Sequence, residues 1–364
     1  MPVSELGLGP IDKASFFFLE ACTTGVSGLA IMSDCECDIT RNSVARPRPH
    51  MGLSPVLENE GPSEARRVLF TVGDLMLLKE TEYAWARLSA VLHKDDSLHV
   101  VHVETAESVE VSSHRGGVVF PVFNDRKEPR RKWLPSFCDL TPFKDHRVLL
   151  LKSRPGVTVE QAILRYIEEF SIDLVVMASR DLSIAARLLC GSTTSEVVRL
   201  SSCPVMVIRR PFFAVQPPPK PAHPGRRSIV IALAYQTPGE SMKIVTWAIT
   251  NGILLTSDDV VIVSAVKHTS QKAKARSALV ACCEAVTAHK AKFQPNVEPL
   301  VPQVLIGEFA GSAIATAVAA AGAVSFLICG STKTGLSRLL GSVSSYFIQN
   351  ATCPVIVVRD QGNL

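Results

Sequence analysis

Short apolar runs alternate along the chain with longer stretches whose apolar positions recur every three or four residues. The runs at 68–72, 98–103, 148–151, 174–177 and 205–208 predict five strands, and those at 229–233, 260–263, 304–306, 326–329 and 355–358 predict five more. Between them the period lengthens. Helices are predicted over 82–92, 155–170 and 195–200 in the first set, and over 241–250, 272–292 and 312–321 in the second. In the stretch 155–170, for example, Val159, Ile163, Tyr166, Ile167 and Phe170 fall on one helical face. Strands alternating with helices imply an α/β fold, a mostly parallel sheet covered on both faces. In such sheets ligands sit at the carboxyl ends of the strands, where the strand order reverses. The loops after the first and fourth strands of each set are therefore the places to look for chemistry.

The pattern also divides the chain. Residues 1–65 hold no sustained period and are rich in Ser, Gly, Pro and Thr, so they read as a disordered N-terminal extension, with 15–19 the best candidate for a short helix. The stretch 211–225 contains Pro217-Pro218-Pro219-Lys220-Pro221 and reads as a Pro-rich, semi-rigid linker. Two domains remain, 66–210 and 226–360, and they repeat each other. Gly191-Ser192 recurs as Gly341-Ser342, and Cys203-Pro204-Val205 through Arg209 recurs as Cys353-Pro354-Val355 through Arg359, both at an offset of 150 residues (341 − 191 and 353 − 203). Leu189 and Ser195 reappear as Leu339 and Ser345 at the same offset. A spacing shared by that many positions marks a duplication.

The fourth strand of each half runs into a small-residue turn and then a Gly-Ser pair that opens a helix: Met177-Ala178-Ser179-Arg180-Asp181 leads to Gly191-Ser192-Thr193, and Cys329-Gly330-Ser331-Thr332-Lys333 leads to Gly341-Ser342-Val343. Glycine lets a backbone approach closely, and a helix N-terminus supplies free N–H groups and a positive dipole end, so each segment can cradle an anion. The plainer reading makes Ser192 and Ser342 ordinary N-caps and the glycines turn residues.

These segments resemble the universal stress protein family, and the resemblance spans roughly 66–360. It is carried by Ile172 to Arg180, Arg187-Leu188-Leu189-Cys190-Gly191-Ser192 and Ser202 to Arg209 in the first half, with Ser97 to Glu104 resembling the family's second strand. In the second half it is carried by Ala323 to Gly330, Arg338 to Ser342 and Thr352 to Arg359. The resemblance implies two tandem five-stranded parallel-sheet domains of a Rossmann-like kind, each of strand order 3-2-1-4-5, with dimerisation through the last strand. ATP-binding members carry G-x2-G-x9-G-[ST] and an Asp at the end of the first strand. Carried onto this chain, the resemblance places cofactor contacts at Asp74, Val103, Met177, Ala178, Arg180, Gly191, Ser192 and Thr193, and at Gly330, Lys333, Gly341, Ser342 and Val343. Neither half keeps the whole pattern. In the first, Ala178 and Asp181 stand where two glycines belong, Asp181 would repel phosphate, and Asp74 lies one position past the expected acid. In the second, Lys333 replaces a glycine, the loop is two residues short, and the first strand ends Leu233-Ala234-Tyr235 without an acid.

Composition narrows the field. A net charge of +4 on 364 residues is too small to imply nucleic acid or an acidic membrane as the main partner. The basic cluster at 126–133 reads as a solvated insertion, and the apolar stretch 14–32 is too interrupted to span a membrane. Ten cysteines lie mostly in apolar runs, as buried thiols of a reducing compartment do, which points to the cytoplasm. His99 and His102 are an odd number of positions apart on a strand, so they face opposite sides and cannot pair on a metal; Cys35-Glu36-Cys37 lacks further ligands. Cys282-Cys283 reads as partial core. No spacing suggests a catalytic triad or paired carboxylates, so no catalytic or metal residue is assigned. The expectation is a non-enzymatic regulatory module of the stress response with an adenine nucleotide, ATP, as its ligand. The two domains pair through the strands ending at Ile208 and Val358, with further homo-oligomerisation a corollary of the resemblance. The alternative is a nucleotide-independent dimerisation scaffold whose pockets have degenerated.

Overall fold

The computed structural model describes residues 30–32, 65–72, 83–85, 87–88, 91–93, 95–104, 145–153, 156–179, 192–209, 226–294, 296–322, 324–331 and 341–359. The basic cluster at 126–133, the Pro-rich stretch 211–225 and Cys35-Glu36-Cys37 lie outside them, as does the 1–65 extension apart from 30–32 and 65.

Among the described residues eleven strands form one continuous sheet. β1 (Ala30–Met32), β2 (Arg67–Val72), β3 (Ser97–Glu104), β4 (Asp145–Lys152), β5 (Leu174–Ser179) and β6 (Val205–Arg209) precede 211, and β7 (Ser228–Ala232), β8 (Asp259–Val266), β9 (Gln303–Ile306), β10 (Phe326–Ser331) and β11 (Val355–Arg359) follow. Their spatial order is β1-β4-β3-β2-β5-β6-β11-β10-β7-β8-β9. Within each half the five repeated strands are parallel and run 3-2-1-4-5, the order the resemblance implies. Ala30–Met32, in the stretch expected to be disordered, pairs in parallel with β4 at one edge of the sheet.

Between β6 and β11 the direction reverses. Their antiparallel register sets Val205 opposite Val357, Met206 opposite Ile356 and Val207 opposite Val355. Met206 and Ile356 occupy equivalent positions of the duplication, so the pairing is symmetric about them, as in an isologous dimer interface. The two sheets thus meet as one, and β6 and β11 satisfy each other's backbone groups rather than leaving two apolar edges exposed. Met206 and Ile356 are fully buried.

The helices are α1 (Val159–Glu169), α2 (Ser192–Leu200), α3 (Pro238–Thr250), α4 (Lys272–Ala291), α5 (Ala310–Ala321) and α6 (Ser342–Asn350), with further helical residues at 83–85 and 87–88. Caps explain where several depart from the apolar period. α1 starts after Pro155 because Thr158 and Gln161 close a capping box, each side chain receiving the other's backbone N–H. α3 starts three residues before the predicted 241 because Pro238 stands at N1, where its fixed φ is already helical.

Each face of the sheet carries a core shared by both halves. On one, Phe70, Val100, Val176 and Met206 pack in the same cluster as Ile231, Val245, Phe326 and Ile356. On the other, Leu69, Val175 and Val207 join Leu327, Phe347 and Val357. A duplicated polar clasp closes the amino ends of the strands. Arg66 makes a bidentate pair with Asp96 (3.0 and 2.6 Å), and Arg227 makes the same pair with Asp258 (2.8 and 2.6 Å). Arg66 and Asp96 are both buried, where a bidentate, charge-assisted geometry offsets desolvation.

Side-chain contacts from four residues further lock the halves. Arg66 donates to the Asn251 carbonyl (2.7 Å), and His93 Nε2 donates to the Gly252 carbonyl (2.6 Å). Arg359, at the end of β11, donates to the carbonyls of Val198 (3.5 Å), Arg199 and Ser201 (3.2 Å) at the C-terminus of α2, and Arg209, at the end of β6, reaches the Ile348 carbonyl in the last turn of α6 (3.5 Å). Each half therefore lends a cation to the negative end of a helix in the other.

Candidate functional site

The reversed seam sets the carboxyl ends of the second half's strands beside the amino ends of the first half's. A cavity of about 1050 Å³ opens there. The second half supplies the ends of β7 and β10 that flank the switch in strand order, through Ala232-Leu233-Ala234 and Cys329-Gly330-Ser331. α6 adds Gly341, Ser342, Val343 and Ser344, and α3 lends one side from its N-cap Thr237 through Glu240, Lys243 and Trp247 to Thr250. The first half contributes Glu168 in the last turn of α1, Asp173 just before β5 and the turn Ser202-Cys203-Pro204 before β6.

The two ends of the strand–turn–helix segment have separate physical causes. Gly330 sits under α3: a Cβ there would lie 2.5 Å from Cδ1 of Ile244, so the glycine leaves that side chain its place against β10. α6 begins with Gly341 as N-cap, and no side chain caps it. The plainer reading of Ser342 as an N-cap is therefore corrected: it is the first helical residue, exposed, with its hydroxyl making no cap bond. What fastens this end is Ser344, which donates to the Gly330 carbonyl (2.7 Å). The first-turn N–H groups of α6 thus open on the cavity without side-chain acceptors, which is the arrangement that receives an anion.

Of the residues expected at the site, Gly330, Gly341, Ser342 and Val343 line this cavity together, and Lys333 lies outside the described residues. In the first half, Val103 sits near the end of β3, and Met177 and Ala178 near the end of β5, with Ser192 and Thr193 opening α2. Asp74, Arg180 and Gly191 lie outside the described residues. None of Val103, Met177, Ala178, Ser192 and Thr193 lines the cavity at the seam, because they lie at the carboxyl ends of the first half's strands, whereas the first-half residues that do line it lie at the amino ends.

Sequence reasoning missed two lining residues, Thr237 and Glu240, which lie past the strand end where an acid is absent. Their signal was the string Thr237-Pro238-Gly239-Glu240, the S/T-x-x-E signature of a helix start.

His99 and His102 do point to opposite faces. His99 Nδ1 shares a hydrogen bond with the Tyr166 hydroxyl on the α1 side (2.7 Å), and His102 Nδ1 donates to the Val72 carbonyl (3.0 Å). Cys203, Cys282, Cys283, Cys329 and Cys353 are buried free thiols, with Cys282 and Cys283 fully in the core. Burial pushes the thiols of Cys203 and Cys283 up to about 11 and those of Cys329 and Cys353 up to about 12. They are inert rather than nucleophilic. Among the described residues no cluster of three His, Cys, Asp or Glu side chains could hold a metal, and no helix is long and apolar enough to cross a membrane.

Comparison with known proteins adds a family. The sequence model of the universal stress protein family matches residues 154–209 and 227–359, more than half of the chain. No curated protein matched in sequence. Among solved structures, a universal stress protein from Archaeoglobus fulgidus is 15% identical, with 80% of this chain and 98% of that one covered at a TM-score of 0.52. The universal stress protein UspA from Lactobacillus plantarum is 22% identical and covers 40% of this chain and 99% of its own at a TM-score of 0.29, the span of a single half. At such identities the likeness to solved structures bears on fold alone.

Proposed function

The chain belongs to the universal stress protein family, and we propose that it acts as a regulatory module whose second half binds an adenine nucleotide, with ATP the ligand to test first. One observation carries this reading: the uncapped N-terminus of α6 opens on a cavity of about 1050 Å³ at the switch between β7 and β10. Such a volume suits a ligand of nucleotide size, and the free N–H groups suit its phosphates. The proposed module works by binding, its cavity wall offering phosphate contacts at the start of α6. The proposed setting is the reducing cytoplasm, in keeping with its free, buried thiols.

Calorimetric titration of ATP into the full chain tests the reading, with affinity in the micromolar range expected. Ser342→Glu is the matched control. A carboxylate at the first helical position favours the helix by about 0.3–1 kcal/mol but occupies the anion's place. It should leave thermal stability intact and weaken ATP by roughly tenfold or more. Absence of heat with folded wild-type protein, or equal binding by Ser342→Glu, would reject the assignment.

The scaffold reading is favoured by one different observation, the symmetric and fully buried pairing of β6 with β11. It predicts an intact pseudo-dimer with no response to ATP.

A further inference from the structure

The sheet has two edges, and they are finished differently. At one, β1 pairs in parallel with β4 across Leu149 to Leu151. At the other stands β9, the counterpart of β4 in the second half, and among the described residues no strand pairs with its outer side. One bond fixes the direction of its backbone groups. Gly307, just past β9, donates its N–H to the Val266 carbonyl of β8 (3.0 Å). Backbone groups alternate sides along a strand, so the N–H and C=O of Val304 and Ile306 point away from β8, along the open edge. β9 itself, Gln303-Val304-Leu305-Ile306, carries no charge to repel another strand.

Apolar surface gathers at the same place. Among the described residues the exposed large apolar side chains are Val280, Phe293, Val301, Ile306 and Phe309, all between 280 and 309. Val301 (67% exposed) precedes β9, Ile306 (47%) ends it and Phe309 (71%) follows it. An edge with outward N–H and C=O groups and an apolar side chain at each end is a template for a further strand.

We propose that β9 pairs antiparallel with β9 of a second copy, so that two chains join their sheets edge to edge. The occupant follows from self-complementarity. A two-fold axis at Leu305 sets Val304 of one copy opposite Ile306 of the other, and their outward groups exchange hydrogen bonds. The same axis brings Val301, at the amino end of one edge, to the end of the other edge that carries Phe309, so the two most exposed apolar side chains cover each other. The chain already joins β6 to β11 in this symmetric, antiparallel way. Closure follows too. With β1 covering β4, each copy offers one open edge among the described residues, and pairing stops at a dimer instead of growing into a filament. A strand of four residues makes a small interface, of the kind that forms and parts in the micromolar range.

Sedimentation velocity of the full chain across that range reads the assembly, and amide hydrogen exchange reads its place. Wild type is expected to pass from monomer to dimer as concentration rises. The amides of Val304 and Ile306 should exchange roughly tenfold or more slowly in the dimer than in the monomer. Ile306→Lys sets a charge on the edge and should weaken dimerisation by roughly tenfold or more. Phe309→Ser is the second variant should Ile306→Lys fail to fold; it lies at the N-cap of α5, where serine is favoured, and should weaken the dimer without lowering the melting temperature. Wild type that stays monomeric, growth beyond the dimer, a dimer whose Val304 and Ile306 amides exchange freely, or unchanged dimerisation in the folded variants would each overturn the proposal.

Discussion

His93 shows how a single side chain ties the halves to pH. Its Nε2 must carry the proton to donate to the Gly252 carbonyl. Burial, then the nearby positive charge of Arg66, hold the imidazole below its ordinary pKa of 6.5, against the Gly252 bond and Asp96; Arg227 adds a smaller depression. The folded state therefore binds its proton less readily than the unfolded chain. Stability is complete above about 6.5 and falls as pH drops through the window below it, because the unfolded chain takes up the proton first. His93→Gln keeps an Nε2 donor without titrating. Between pH 7 and 5 the wild-type melting temperature should fall more steeply than that of His93→Gln. Parallel curves would show that His93 does not sense acid. The sequence held His93 in plain view, but its partner is 159 residues away, and only the fold brings them together.

At the scale of elements, local pattern was a good guide to type and a poor one to contact. All ten strands of the repeat were legible, the central ones because strands buried on both faces read as unbroken apolar runs. Their boundaries slipped where a cap or a proline overruled the period, as at Thr158 and Pro238. The pair Arg209 and Arg359 was legible as a repeated residue closing the last strand, but its task was not. It follows from the antiparallel seam, which carries each strand end to the other half's helix. Arg359→Ala removes three donations to the carbonyls at the end of α2. It should cost about 1–3 kcal/mol in a denaturant titration, since charge-assisted bonds are lost and partly buried carbonyls are left open. A loss below about 0.5 kcal/mol would mean that solvent replaces the arginine there.

For the molecule as a whole, duplication followed by strand pairing across a symmetric seam accounts for both the fold and the position of the site. Had each half kept a separate sheet, Ser202-Cys203-Pro204 would lie far from α3. Joined through β6 and β11, the amino edge of one half becomes a wall for the other half's switch point. The Gly-Ser string was readable as a helix start near that point, whereas Thr237 and Glu240, which also line the cavity, were hidden by their fit to an ordinary cap. The most direct measurement is amide NMR of the isotope-labelled full chain during titration with ATP. The account predicts saturable shifts centred on Ser331, Gly341, Ser342 and Val343, with the first turn of α3 moving at the same ligand concentrations. Shifts confined to the end of β5 and the start of α2, or none at saturating ATP, would contradict it.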